Sequence, residues 1–235
     1  MDMSLITGNG KERRGFAARR GLILTAAATA CGLAAVPAAY ALPVSIQLSE
    51  SGYTSQTYTG SGSAGTPGYV SFGTFDSVQA SALGSPFVPT PEFLSNSINV
   101  SGTSAGTLFI LATETGITSP LGTNLGFLSS FTTNEVDPDL TVTETTYVDP
   151  GDTAFATTDM LDSATFSSIG TDVLTNVATL PSAYSETEVF QITATRAGST
   201  NDTIEIDPVP EPGSFAIFGV GLLGLLGFRR RYSRT

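Results

Sequence analysis

The chain has 235 residues, with 10 Lys and Arg against 21 Asp and Glu for a formal net charge of −11, one Cys, and neither His nor Trp. The missing histidine excludes the Ser-His-Asp and Cys-His nucleophile systems and every His-ligated zinc or iron site. A single cysteine, Cys31, supplies neither an internal disulfide nor a thiolate metal set.

Residues 1–41 read as a signal peptide. Lys11, Arg13, Arg14, Arg19 and Arg20 form a basic n-region, an Ala-rich apolar stretch runs from Leu22 to Val36, and Ala39-Tyr40-Ala41 fits the small-x-small cleavage rule. Leu42 would then open the exported protein. Arg13-Arg14-Gly15-Phe16 resembles part of the twin-arginine export motif, with Glu12 and Ala17 departing from it, so that route and the general pathway both stay open. Cys31 follows Ala28-Thr29-Ala30, where a lipoprotein box would carry Leu at Ala28, and reads instead as an apolar residue discarded with the signal.

The body, residues 42–207, holds eighteen acidic residues and one basic residue, Arg196. Such a balance keeps a secreted chain soluble and repels nucleic acid, which is not expected as a partner. Ser and Thr supply 53 of the 166 positions, and no segment sustains an apolar repeat at helical spacing. Short alternating runs broken by Gly, Pro, Asn and Asp predict strands. They lie at 44–48, 69–75, 78–83, 93–100, 106–115, 127–133, 140–148, 154–160, 164–168, 172–180, 188–196 and 203–206, with 60–68 as a loop. Leu108-Phe109-Ile110-Leu111 is apolar on both faces and predicts a central strand with Leu108, Ile110 and Ala112 in one row. The runs at 93–100 and 106–115 read as a pair joined through Ser101-Gly102, and those at 127–133 and 140–148 as neighbours in one sheet. Asp149-Pro150-Gly151-Asp152 predicts a turn. The expected fold is all-β, a β-sandwich or jelly-roll-like domain of about ten strands, flanked by an N-terminal signal helix and a single C-terminal transmembrane helix.

Residues 208–214 read as a Pro-rich linker, 215–228 as a transmembrane run and 229–235 as a basic cytoplasmic tail. As a helix the apolar run reaches roughly 21 Å, short of the ~30 Å hydrocarbon core, so it suits a transient anchor. Arg229, Arg230 and Arg231 stop it on the cytoplasmic side by the positive-inside rule. Gly219-Val220-Gly221-Leu222-Leu223-Gly224 spells a dinucleotide fingerprint, but without a βαβ unit or a following acid it carries no nucleotide site.

Val209, Pro210, Glu211 and Pro212, the short Gly/Leu-rich span and the terminal arginines resemble, in that order, the PEP-CTERM protein-sorting tail of Gram-negative bacteria. That resemblance implies export, recognition by an exosortase-type processing enzyme, brief membrane attachment through the tail, and delivery to the cell surface or an exopolysaccharide-rich matrix. Such tails also occur on proteins catalogued under an ice-binding label.

Within the body, the acid-rich arc around Asp137, Asp139, Asp149 and Asp152 is the candidate Ca²⁺ site, because hard oxygen ligands are what that ion takes. No pair of carboxylates stands out as a glycosidase acid and base, and no catalytic residue or cofactor is expected. The expectation is a non-enzymatic, exported surface or matrix protein with a structural or adhesive role. The alternatives are a Ca-dependent or carbohydrate-binding module, a glycoside hydrolase, or an ice-binding protein built on paired threonines such as Thr141-x-Thr143 and Thr193-x-Thr195.

Overall fold

The computed structural model describes residues 41–85 and 92–209. The predicted signal helix with Ala39, the transmembrane run 215–228, Pro210, Glu211, Pro212 and Arg229 to Arg231 lie outside the described residues. Among the described residues no helix is long and apolar enough to cross a membrane.

Among the described residues thirteen strands follow one another: β1 (Pro43–Glu50), β2 (Gln56–Ser61), β3 (Ser63–Gly65), β4 (Val70–Phe72), β5 (Phe75–Ser85), β6 (Glu92–Gly102), β7 (Gly106–Ile117), β8 (Gly122–Val136), β9 (Leu140–Asp149), β10 (Asp159–Phe166), β11 (Gly170–Leu180), β12 (Tyr184–Ala194) and β13 (Gly198–Val209). They form two antiparallel sheets, β10-β9-β12-β7-β1-β2 and β11-β8-β13-β6-β5-β3, with β4 pairing β5. We refer to these as the first and second sheet. From β6 onward the chain alternates between them except at β9 and β10, which pair within the first sheet, so that four strands of each stand in the order β10-β9-β12-β7 and β11-β8-β13-β6. That arrangement is the eight-stranded jelly roll of two Greek keys. The leading strands widen each sheet beyond β7 and β6.

Alternation explains the core. In β1 the inward row is Val44, Ile46 and Leu48, in β7 Leu108, Ile110 and Ala112, and in β12 Phe190, Ile192 and Ala194. Phe75, Phe93, Phe127, Phe131, Ile204 and Ile206 fill the space from the second sheet. Each Val, Leu, Ile or Phe among them contributes about 1.5–3 kcal/mol by leaving water, which is how a chain without a disulfide holds two sheets together.

Several expected neighbours prove to be opposite one another. β6 and β7 belong to different sheets, as do β8 and β9, so Ser101-Gly102 end β6 instead of forming a hairpin tip, and residues 103–105 and 137–139 are corners between layers. Alternation gives a strand its period and not its partner, so the pairing was open to the wrong reading. The predicted loop at 60–68 contains the ends of β2 and β3: Gly62, at φ 74°, steps the chain from one sheet to the other and donates to Leu42 O at 2.7 Å. The predicted strand at 154–160 is a loop up to Asp159, held because the Asp149 carboxylate accepts from Thr153 N at 2.9 Å and Thr158 Oγ1 at 2.8 Å. β13 runs on through Asp207 to Val209, paired with Gly126 of β8, so the sheet overlaps the start of the expected linker.

A second carboxylate fixes the turn between β4 and β5. Glu50 Oε2 accepts from Thr74 N at 2.8 Å and Oε1 from Thr74 Oγ1 at 2.6 Å, while Gly73 at φ 62° lies against it so closely that a Cβ would overlap the carboxylate. Gly73→Ala is therefore expected to cost about 1–3 kcal/mol from left-handed backbone and the displaced Glu50. The check is the urea midpoint, and a midpoint equal to that of the native chain would refute the latch.

Candidate functional site

The inward rows of the first sheet do not stay apolar. On β7 the row Leu108, Ile110, Ala112 continues to Glu114; on β9 Leu140 and Val142 lead to Glu144; on β12 Glu186 and Glu188 precede Phe190. All four glutamates are fully buried, and Asp202 joins them from β13 of the facing sheet. Glu114 stands directly opposite Glu186, and Glu188 opposite Ala112 and Thr146, so the acids run diagonally through the interior.

Asp202 is satisfied: Thr133 Oγ1 donates to Oδ1 at 2.9 Å and Thr200 Oγ1 to Oδ2 at 2.8 Å. Burial still pushes its carboxyl up to about 7, with those two hydroxyls pulling the other way. Glu144 is pushed up to about 9, by burial first and the Asp202 charge second; Thr132 and Thr133 offset part of this without closing a hydrogen bond on its oxygens. Burial raises Glu114 to about 7. It holds Glu186 well above the ordinary carboxylate range, helped by the charges of Glu114 and Asp207. Glu188 is raised likewise by burial, with Ser95 across the interior opposing the rise without hydrogen-bonding it. Tyr184, whose ring meets Phe127 edge-on at 6.4 Å, has its phenol pushed up by burial and by Glu186 and Glu114. Cross-sheet polar contact is completed by Ser129 and Thr146, whose hydroxyl oxygens lie 2.7 Å apart.

The expected Ca²⁺ residues are not gathered into one set. Asp137 Oδ2 accepts from Ser199 N at 2.8 Å, and the Asp139 carbonyl accepts from Thr195 N at 2.9 Å, both at the corner between β8 and β9. Asp152 Oδ1 accepts from Gly116 N at 2.6 Å. Asp149 has its carboxyl lowered: burial works upward, and hydrogen bonds from Thr153, Thr158 and Gly151 outweigh it. All four carboxylates meet protein donors in loops and corners, Asp139 accepting from Thr195 Oγ1 through its carbonyl at 3.0 Å and its Oδ1 at 3.5 Å. Among the described residues the acids that do converge are Glu92, Glu205 and Asp207 on the outward side of the second sheet, with oxygens within 4.8 Å of one another. Burial first, then Asp207 and Glu92, push Glu205 up to about 7. Solvent reaches all three, so hydration suffices to hold them.

The interior acids left a signal that composition hides. Thr113-Glu114-Thr115, Thr143-Glu144-Thr145 and Ser185-Glu186-Thr187 each put the glutamate in phase with an apolar row and the hydroxyls out of phase. Following the phase rather than the polarity of each residue would have placed them inside.

The family model of the PEP-CTERM protein-sorting motif matches residues 208–231, the C-terminal part of the chain alone. A comparison with curated proteins finds no match. Among solved structures, the carbohydrate-binding module TmCBM61 in complex with beta-1,4-galactotriose is similar at 6% identity, covering 48% of this chain and 69% of that one, with a TM-score of 0.30. The enzymatically active domain of bacteriophage CBA120 tailspike protein 4 is similar at 16% identity over 60% of this chain, which spans 18% of that protein, with a TM-score of 0.26. At such TM-scores neither likeness bears on the function of this chain.

Proposed function

We propose, from the sorting motif at residues 208–231, that this chain is an exported, non-enzymatic jelly-roll protein with a structural or adhesive role at the cell surface or in an exopolysaccharide matrix. The PEP-CTERM motif implies an exported protein sorted by exosortase. The reading is carried by the position of the motif: it begins at Pro208, at the end of β13, so all but the last two residues of the jelly roll precede it as cargo. The body without histidine supports the non-enzymatic part.

The test compares cells with and without the sorting protease by intact mass and by fractionation. With the protease, the protein is expected outside the cytoplasm and shortened at its C-terminus; without it, the protein should stay membrane-associated with Arg229 to Arg234 attached. Full-length protein in the cytosol of protease-bearing cells would end the proposal.

A carbohydrate-binding reading draws on the outward side of the first sheet. Its rows Ser163–Thr145–Val189–Leu111–Gln47–Thr57 and Thr165–Thr143–Gln191–Phe109–Ser49 contain no ionisable side chain. A neutral polysaccharide meets hydroxyl and amide groups there without meeting negative charge. Gel retardation by neutral but not by anionic polysaccharides is the expected outcome, and equal mobility in every gel would remove this reading.

A further inference from the structure

We propose that the buried cluster of Glu114, Glu186 and Tyr184 is a binding site for one Ca²⁺ ion, taken up as the two sheets close. The three side chains are brought together by the sheet itself. Glu114 of β7 lies directly opposite Glu186 of β12, and Tyr184 precedes Glu186 on the same inward side. Side chains so opposed have Cβ atoms about 4.5–5.5 Å apart. Two carboxylates that close, and out of water, do not both ionise unless a cation lies with them.

The oxygens themselves point to an occupant. Both oxygens of Glu114, both of Glu186 and the Tyr184 hydroxyl, five in all, are buried without a hydrogen-bond partner. A phenol beside two carboxyls satisfies itself by donating to one of them. Here the Tyr184 hydroxyl donates to neither, and all five oxygens are left without a partner inside the protein. On the facing sheet only a glycine fits beside Glu114: a Cβ at Gly84 of β5 would overlap the carboxylate.

Charge and donor type identify the occupant. All the donors are oxygen, which suits a hard cation and not a thiophilic or imidazole-seeking metal. Among the described residues the one basic side chain, Arg196, is exposed in the turn between β12 and β13 and offers no counter-charge. A water molecule would satisfy the hydrogen bonds and leave the two carboxylates uncompensated; a divalent ion neutralises them. Glu114, Glu186 and Tyr184 have no solvent exposure, so the ion enters while the strands assemble and leaves only when they part.

The test unfolds the full chain in denaturant with EGTA, refolds it at pH 7 with Ca²⁺ or with EGTA, removes free ions and counts bound metal by mass spectrometry alongside the melting temperature. One Ca²⁺ per chain and a melting temperature several degrees higher in the Ca²⁺ sample are expected. Glu114→Gln and Glu186→Gln should each abolish retention, while Glu144→Gln, on β9, should keep it. Where either variant fails to fold, Tyr184→Phe keeps the ring and removes one ligand; it is expected to raise the free Ca²⁺ needed for half retention about tenfold, the equivalent of about 1.4 kcal/mol. No retained Ca²⁺ with equal melting in both samples would overturn the proposal and leave a pair of protonated acids in its place. Unchanged retention in both Gln variants would overturn it as well.

Discussion

Replacing Glu144 with glutamine is expected to make the pH dependence of stability shallower by about 1.4 kcal/mol per pH unit and, at pH 8, to raise the unfolding free energy by about 3–5 kcal/mol relative to the native chain. Glu144 is fully buried and its carboxyl is raised from 4.5 to about 9, by burial first and by Asp202 second. The folded chain therefore keeps a proton that the unfolded chain gives up once the pH passes the ordinary carboxylate value. Between those two pH values the native state binds more protons, so stability falls as pH rises, by about 1.4 kcal/mol per unit. It is fully present below the unfolded value and reaches its floor above the folded one. Asp202, raised to about 7, adds a fall of the same sign over the lower part of that window. Glutamine cannot ionise, and whatever its amide loses by burial it loses equally at every pH. The slope is thus the measurement: urea unfolding from pH 5 to pH 9 in EGTA, for the native chain and Glu144→Gln. Equal slopes would show that Glu144 is solvated and ionised in the folded chain.

Truncating Phe190 to alanine is expected to cost about 3–5 kcal/mol, the range for emptying a fully buried aromatic site. Phe190 sits in the middle of β12, opposite Ile110 of β7 on one side and Glu144 of β9 on the other. Backbone ladders on both flanks keep the strand from collapsing into the gap, so the cavity persists. The same cavity lets water reach Glu144, which lowers its carboxyl towards the ordinary value. Phe190→Ala should therefore show both a lower urea midpoint and a shallower pH slope than the native chain. A loss below about 1 kcal/mol would contradict the packing described for this row.

Much of the architecture was readable residue by residue. Period-two alternation marked the strands that became β1, β7 and β12, and the doubly apolar Leu108-Phe109-Ile110-Leu111 marked β7 as central, as it is between β1 and β12. The short apolar span behind Pro210, Glu211 and Pro212 marked the sorting tail, which the family model matches. The acids around Asp137, Asp139, Asp149 and Asp152 are dense along the chain, and density is not convergence: Asp137, Asp149 and Asp152 each meet a different backbone amide. Glu114 and Glu186, far apart in sequence, are the pair that meets.

From its sequence alone this protein has a strand period, an excess of acid and a destination, because alternation, charge and a contiguous tail are local properties of a chain. Only the tertiary structure decides which layer each strand joins and which acids lose their water. Those depend on pairings such as Glu114 with Glu186, and no local pattern encodes a contact made across so many intervening residues.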